Sequence, residues 1–411
     1  MTEDERALGS LFRQQSGRLV AYLTRFFGLG RMDLAEDIAQ ETLLAALQAW
    51  SQGLPPDPAA WLFVTAKNRA RDVLRREKVR RGNGSIDADS ADLEDASEED
   101  EDADLLRMMF ACCHPALTED TQTALILRLV CGFGTAEVAT AFFSDPGAME
   151  RRLVRARKVL SDDGRLVDVS TPEGTRERLP AVMNALYLMF DAGYHGSVAD
   201  PVRADICADA IRLASLVATT RATSGPAAHA LAALMLLHAA RLSARAPAGT
   251  LVPLEDQDRA TWDGRLIAAG LEHLAASADG DELTVFHLEA GIAAHHATAP
   301  SVEGTRWREI AELYDLLYVR KPTPIVALCG AIARSRLLGP EVALREIAHI
   351  DGRERLESYP FYWATLVDLS LRAADRTAAR QWLTRGLATA RNDAERDMFA
   401  RRIHECDGPP S

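Results

Sequence analysis

Within PGAMERRLVRARKVL, residues 146–160, three cations recur at the spacing of one helix side: Arg151, Arg155 and Lys158. Guanidinium and ammonium groups set along one face in this way suit contact with phosphates and base edges in a DNA major groove. On the opposite side Met149, Leu153, Ala156 and Leu160 fall within about 60° of one another, at 100° per residue, and form an apolar stripe for packing. Asp145 is placed to cap this helix. Pro146 is placed to open it, where its missing N–H costs nothing and its fixed φ is already helical. A short helix over residues 135–143 precedes it after a tight turn, which is helix-turn-helix geometry. A solvated amphipathic helix would carry the same charges. The agreement of turn, cap, stripe and basic face on one geometry favours DNA binding.

The whole chain has a formal net charge of -13, which would repel a polyanion if it were spread evenly. It is not. Residues 1–81 hold 13 basic and 10 acidic side chains, and residues 105–160 hold 7 and 5. Residues 82–104 hold 11 acids and no base, and the rest of the deficit lies beyond residue 160. A second basic block, WLFVTAKNRARDVLRREKVRR (61–81), carries eight bases and two acids after an apolar start. Upstream of it, DLAEDIAQETLLAALQAW (33–50) reads as a helix apolar on two sides, with Leu34, Ile38 and Ala45 on one and Leu43, Leu47 and Trp50 on the other. Such a helix belongs inside a bundle or against a partner helix.

Helical periodicity runs through nearly all of the 411 residues and alternating β-branched stretches are scarce, so the expected fold class is all-α. The segment at 82–104 is too acidic to bury a core and is expected to be a flexible, self-repelling linker. A weaker boundary falls at residues 161–175. Beyond it, amphipathic helices are punctuated at Gly193, Pro226, Pro253, Pro322 and Gly339. Residues 362–390 resemble one helix pair of a tetratricopeptide repeat, although three copies at a 34-residue period are not found. The six cysteines have no C-x-x-C pairing. Cys112, Cys113 and His114 are adjacent without the spacing of a zinc site, and His295 and His296 point to different helix faces, so neither metal nor cofactor is expected. No apolar run approaches a membrane span and the N-terminus has no leader pattern, which leads to an expectation of a cytoplasmic protein without membrane contact.

Three stretches in order carry a family resemblance: DLAEDIAQETLLAALQAW, PPDPAAWLFVTAKNRARDVLRR, and HPALTEDTQTALILRLVCGFGTAEVATAFFSDPGAMERRLVRARKVL. Together they resemble regions 2 and 4 of an extracytoplasmic-function (group IV, sigma-70 family) sigma factor of bacterial RNA polymerase. LPAVMNALYLMFDAGYHGS and LEDQDRATWDGRLIAAGL resemble the subgroup with a long C-terminal tetratricopeptide-like helical extension. The resemblance implies region 2 over residues 1–81, the acidic linker at 82–104, region 4 over 105–165 and a regulatory helical-repeat-like extension over 175–411. It implies docking of Asp37, Gln40 and Glu41 on the β′ clamp helices of core RNA polymerase, and contact of region 4 with the β flap. Recognition and opening of the promoter -10 element fall to Asn68, Arg69, Arg71, Arg75 and Arg76, since cations along the backbone and a pocket for an unstacked base assist melting. Arg151, Arg152, Arg155 and Lys158 take the -35 phosphates and base edges, with Glu150 as a base-edge acceptor. Trp61 suits base stacking, but its place after Pro58 favours the core.

The chain departs from the subgroup's pattern at Asp191-Ala192-Gly193-Tyr194, where Asn-Glu precedes Gly-Tyr, and at Cys329 and Gly330, where Asn and Arg are expected. The acidic run suggests mimicry of RNA charge inside the polymerase channel; a plain spacer is the other reading. A signalling or anti-sigma protein is a further possible partner. Two other classes stay open at this stage: a helix-turn-helix regulator independent of polymerase, and a scaffold or enzyme centred on the C-terminal half, which shows no catalytic motif.

Overall fold

The computed structural model describes residues 3–80, 98–142, 144–164, 175–196, 202–247, 250–390 and 393–407. Among them every regular element is helical, as the periodicity predicts. The chain divides into two compact units, Met1–Met189 with Thr219–Thr223, and Phe190–Ala218 with Ser224–Ser411.

The first unit is built on helices α1 (Glu3–Phe27), α2 (Met32–Ala49) and α3 (Pro58–Arg80). Leu19, Tyr22 and Leu23 of α1 are buried with Met32, Ala35, Ile38 and Ala46 of α2 and with Leu62, Ala66 and Ala70 of α3. These positions recur at three and four residues, so each helix presents one continuous apolar stripe to the others. Helix α3 starts because Asp57 accepts from the Ala60 N–H at 2.9 Å and Pro58 occupies the first helical position. Trp61 lies edge-on to Trp50, with centroids 5.3 Å apart, and is half-buried. Its packing position favours the core reading.

Helix α4 (Glu98–Cys112) corrects one expectation. Residues 98–104 are not flexible linker but its opening turns, while residues 82–97 lie outside the described residues. Arg18 of α1 donates to Glu101 at 3.1 Å and to Asp102 at 3.2 Å. Buried Asp104 is paired with Arg25 at 3.2 Å and Arg107 at 2.7 Å. Composition predicts solvation for these acids. Arginines some eighty residues upstream fold them onto α1.

Helices α5 (Glu119–Leu129), α6 (Thr135–Ala141) and α7 (Pro146–Asp163) complete the helical part before the extension. The end of α5 approaches α1, and α7 is held to α2. A Cβ at Gly17 would lie 2.0 Å from the Val130 carbonyl oxygen, so only glycine allows this approach of α1 to the end of α5. A Cβ at Gly132 (φ +70°) would lie 2.6 Å from Arg13 Cγ. Thr175, at the start of the sequence-assigned extension, donates to the Ala222 carbonyl at 2.7 Å within this same unit.

Helix α8 (Leu179–His195) spans the change from the first unit to the second. The second unit continues through α9 (Ala204–Thr219), α10 (Pro226–Ala239), α11 (Leu242–Arg245), α12 (Gly264–Ala276) and α13 (Val285–Thr298). It ends with α14 (Trp307–Arg320), α15 (Pro324–Leu338), α16 (Pro340–Ala348), α17 (Pro360–Arg372), α18 (Arg376–Thr389) and α19 (Asp393–Asp407). Consecutive helices from α13 onward pack side by side. Leu288, Ile292, Ile310 and Val326 form one core cluster; Leu328, Ile347, Trp363, Val367, Leu383 and Phe399 form another. The pair over 362–390 is α17 and α18, and a Cβ on Gly386 would meet the Phe399 ring at 2.3 Å, which explains the small residue there. Gly193 is not a helix break. It lies inside α8, and its missing Cβ leaves room for Cys207 Sγ and the Arg203 carbonyl.

Candidate nucleic-acid interface

Asp145 accepts from the Ala148 N–H at 2.9 Å and Pro146 follows it, so α7 begins where the sequence places it. Gly164 in the left-handed region ends it. Helix α6 has its own cap, with the Gly134 N–H donating to Glu137 at 2.8 Å. Met149, Leu153, Ala156 and Leu160 are all buried and fix the roll of α7. That roll leaves Glu150, Arg151, Arg155 and Lys158 exposed and Arg152 half-exposed. None of these four cations is held in an ion pair with a described residue. Their charge is therefore available to an incoming polyanion.

Arg157, on the same helix, has a different task that spacing did not reveal. It donates to Glu36 of α2 at 2.9 Å, with both side chains largely buried, while Ser161 donates to the Gly30 carbonyl at 3.2 Å. Burial raises the Glu36 carboxyl above its usual range, against the lowering effect of Arg157. This bridge holds α7 to α2.

Asp37, Gln40 and Glu41 occupy the exposed side of α2. Leu44, 60% exposed, and Leu47, 48% exposed, extend the same side, so an acidic and apolar stripe runs along the helix. The second apolar side of α2 is thus divided: Trp50 is buried and Leu43 partly so, while Leu47 faces out, as the partner-helix alternative requires. The sequence reading left out Leu44 and did not join Leu47 to the acids. Leu44 stands three and four residues from Glu41 and Gln40, with Leu47 three residues beyond it, and that spacing was the available signal.

Along α3, Asn68, Arg75 and Arg76 are exposed and Arg69 and Arg71 are half-buried. Arg69 donates to Glu41 at 2.7 Å, so the structure joins one member of the expected -10 set to one member of the expected polymerase set. Arg31 and Glu77 form a second bridge at 2.5 Å between the start of α2 and the end of α3. Such exposed pairs orient side chains more than they stabilise the fold.

The tempting cysteines are packing residues. Cys112 and Cys113 are buried, and desolvation pushes the Cys113 thiol up to about 12. No helix of the described residues is long and apolar enough to cross a membrane.

Comparison with known proteins adds the family. The profile described as Sigma-70 region 2 matches residues 11–80, that of Sigma-70, region 4 matches 107–160, and one for a family of unknown function (DUF6596) matches 178–278. An uncharacterized protein of Rhizobium meliloti is 35% identical across 98% of this chain and 96% of its own length. The RNA polymerase sigma factor CnrH of Cupriavidus metallidurans is 29% identical over 38% of this chain and 86% of its own. The ECF RNA polymerase sigma factor SigL of Mycobacterium tuberculosis is 30% identical over 37% of this chain and 85% of its own. No solved structure gives a significant match. Region 2 thus falls on α1 to α3, region 4 on α4 to α7, and a full-length relative shares the extension: the chain belongs to the extracytoplasmic-function group of the sigma-70 family, with a long helical extension after region 4.

Proposed function

We propose that this chain acts in the cytoplasm as an alternative sigma factor that binds core RNA polymerase and directs it to particular promoters. The observation that carries the reading is the free basic face of α7, set by its Asp145 cap and buried stripe, in one compact unit with the exposed acidic and leucine stripe of α2. Residues 1–81 act as region 2, 105–165 as region 4 and 175–411 as a regulatory extension likened to tetratricopeptide repeats. Asp37, Gln40 and Glu41 dock on the β′ clamp helices, joined by Leu44 and Leu47, because a helical partner buries apolar side chains and pairs with the acids around them. Asn68, Arg69, Arg71, Arg75 and Arg76 hold the opened -10 strand. Arg151, Arg152, Arg155 and Lys158, with Glu150, read the -35 duplex beside the β flap. The extension modulates these contacts, alone or with a signalling or anti-sigma protein.

Substitution of Leu44 and Leu47 by Ser tests the polymerase face. The account expects loss of core polymerase binding by the full chain with its fold retained, because both side chains already meet water. Undiminished binding would remove α2 from the interface.

A further inference from the structure

A cavity of about 300 Å³ lies within the second compact unit, bounded by the end of α10, α11 and the loop after it, and by α13, α14, α15, α17 and α19. Its walls are mostly apolar, with Trp307 and Phe361 among them. Four arginines also line it, and two of them are already occupied. Arg259 donates to the His296 and Ala299 carbonyls, each at 2.8 Å, and Arg402 shares Asp368 with Arg372. The remaining carboxylate of the lining, Glu255, is paired with Arg336.

Among the described residues Arg241 and Arg245 form no direct ion pair; Asp191, held by His195 at 2.9 Å, feels Arg245 only at longer range. Their guanidinium groups lie on aromatic faces: Arg241 is 5.3 Å from the Tyr194 ring centre, and Arg245 is 4.2 Å from it and 5.9 Å from Phe361. Arg245 Nε and His296 Nδ1 are buried without a hydrogen-bond partner. Two neighbouring, partly buried cations without a close ion-pair partner are costly, and the buried, unsatisfied Arg245 N–H adds to that cost. Burial, together with Arg241 and Arg259, pushes His296 down to about 3, so its imidazole is neutral and offers one nitrogen as donor. An anion between these groups would neutralise the arginines and accept from the open N–H positions, while the aromatic wall would cover an apolar body.

We propose that this cavity binds a small amphipathic organic acid, with its acid group on Arg241, Arg245 and His296 and its apolar part along Trp307 and Phe361. Carboxylate and phosphate share the chemistry these residues ask for. A helical extension with such a site is a ligand sensor as well as a packing module.

Calorimetric titration of the full chain with octanoate, octyl phosphate and octylamine, without polymerase or promoter, tests the proposal independently of the transcription reading. One saturable site for octanoate, octyl phosphate or both is expected, the preferred acid naming the headgroup, and none for octylamine. Arg245→Met keeps the apolar stem, and Ala364→Phe fills the cavity while keeping every cation; each should raise Kd at least about tenfold. Absence of saturable binding by both acids, equal binding of the amine, or wild-type affinity in either folded variant overturns the proposal. Should a variant lose its cooperative melt, the wild-type comparison of acids with amine and the other variant still decide.

Discussion

At the scale of single residues, the side of α7 proposed to face DNA divides its labour by what each side chain meets. Arg155 is exposed and unpaired, so Arg155→Ala should weaken binding to a -35 duplex by about 1–3 kcal/mol in a salt-controlled titration, with thermal stability unchanged. Glu150→Ala should instead relax preference at one base pair, read by competition between duplexes that differ there. A buried histidine carries a prediction of the opposite kind. His296 is held neutral in the fold, with its pKa near 3 against an ordinary value of 6.5. The unfolded chain therefore takes up a proton that the folded chain refuses. The associated stability is complete above pH 6.5 and is lost as pH falls toward about 3. Melting curves at pH 7 and pH 5 should separate for the wild type, and less so for His296→Phe, which keeps an aromatic ring against Trp307.

At the scale of elements, legibility tracked the reach of the interaction. The start of α7 and its buried stripe were readable because Asp145, Pro146 and the four apolar positions act within one helix. The opening turns of α4 were not, since a run of carboxylates looks solvated until Arg18 and Arg25, distant in sequence, are placed beside it. Gly193 misled for the same reason. Its value lies in the close approach of Cys207 from another helix, not in local flexibility. For Leu47 the sequence leaves two readings, bundle interior or partner helix, because hydrophobicity alone does not say which apolar side is covered; its 48% exposure favours the partner. Asp104 is the test of α4: its carboxylate is buried while Arg25 and Arg107 are partly exposed. Asp104→Ala should cost about 1–3 kcal/mol in denaturant unfolding and speed amide exchange over residues 98–104. Unchanged exchange there would mean that the ion pairs do not hold the helix.

At the scale of the whole molecule, the division of charge removes the objection that an acidic protein opposes DNA binding, because the basic faces of α3 and α7 lie in the N-terminal part. The sigma regions are joined in one unit by the Gly17 approach to Val130 and by the Arg157–Glu36 bridge. Gly17→Val should force that approach apart, lower stability by about 1–3 kcal/mol and expose the end of α5 to proteolysis. The pairing of Thr175 with Ala222 places a truncation at residue 175 inside the first unit, so the extension is better tested by substitution in the full chain than by deletion there. The most direct measurement of the central claim is in vitro transcription on a promoter library with purified full-length protein and core RNA polymerase. The account predicts defined start sites sharing -10 and -35 elements only when both components are present, and their loss on combined substitution of Arg151 and Arg155 by Ala. Specific binding to DNA sites by the chain alone, with no polymerase-dependent start sites on any promoter, would contradict it.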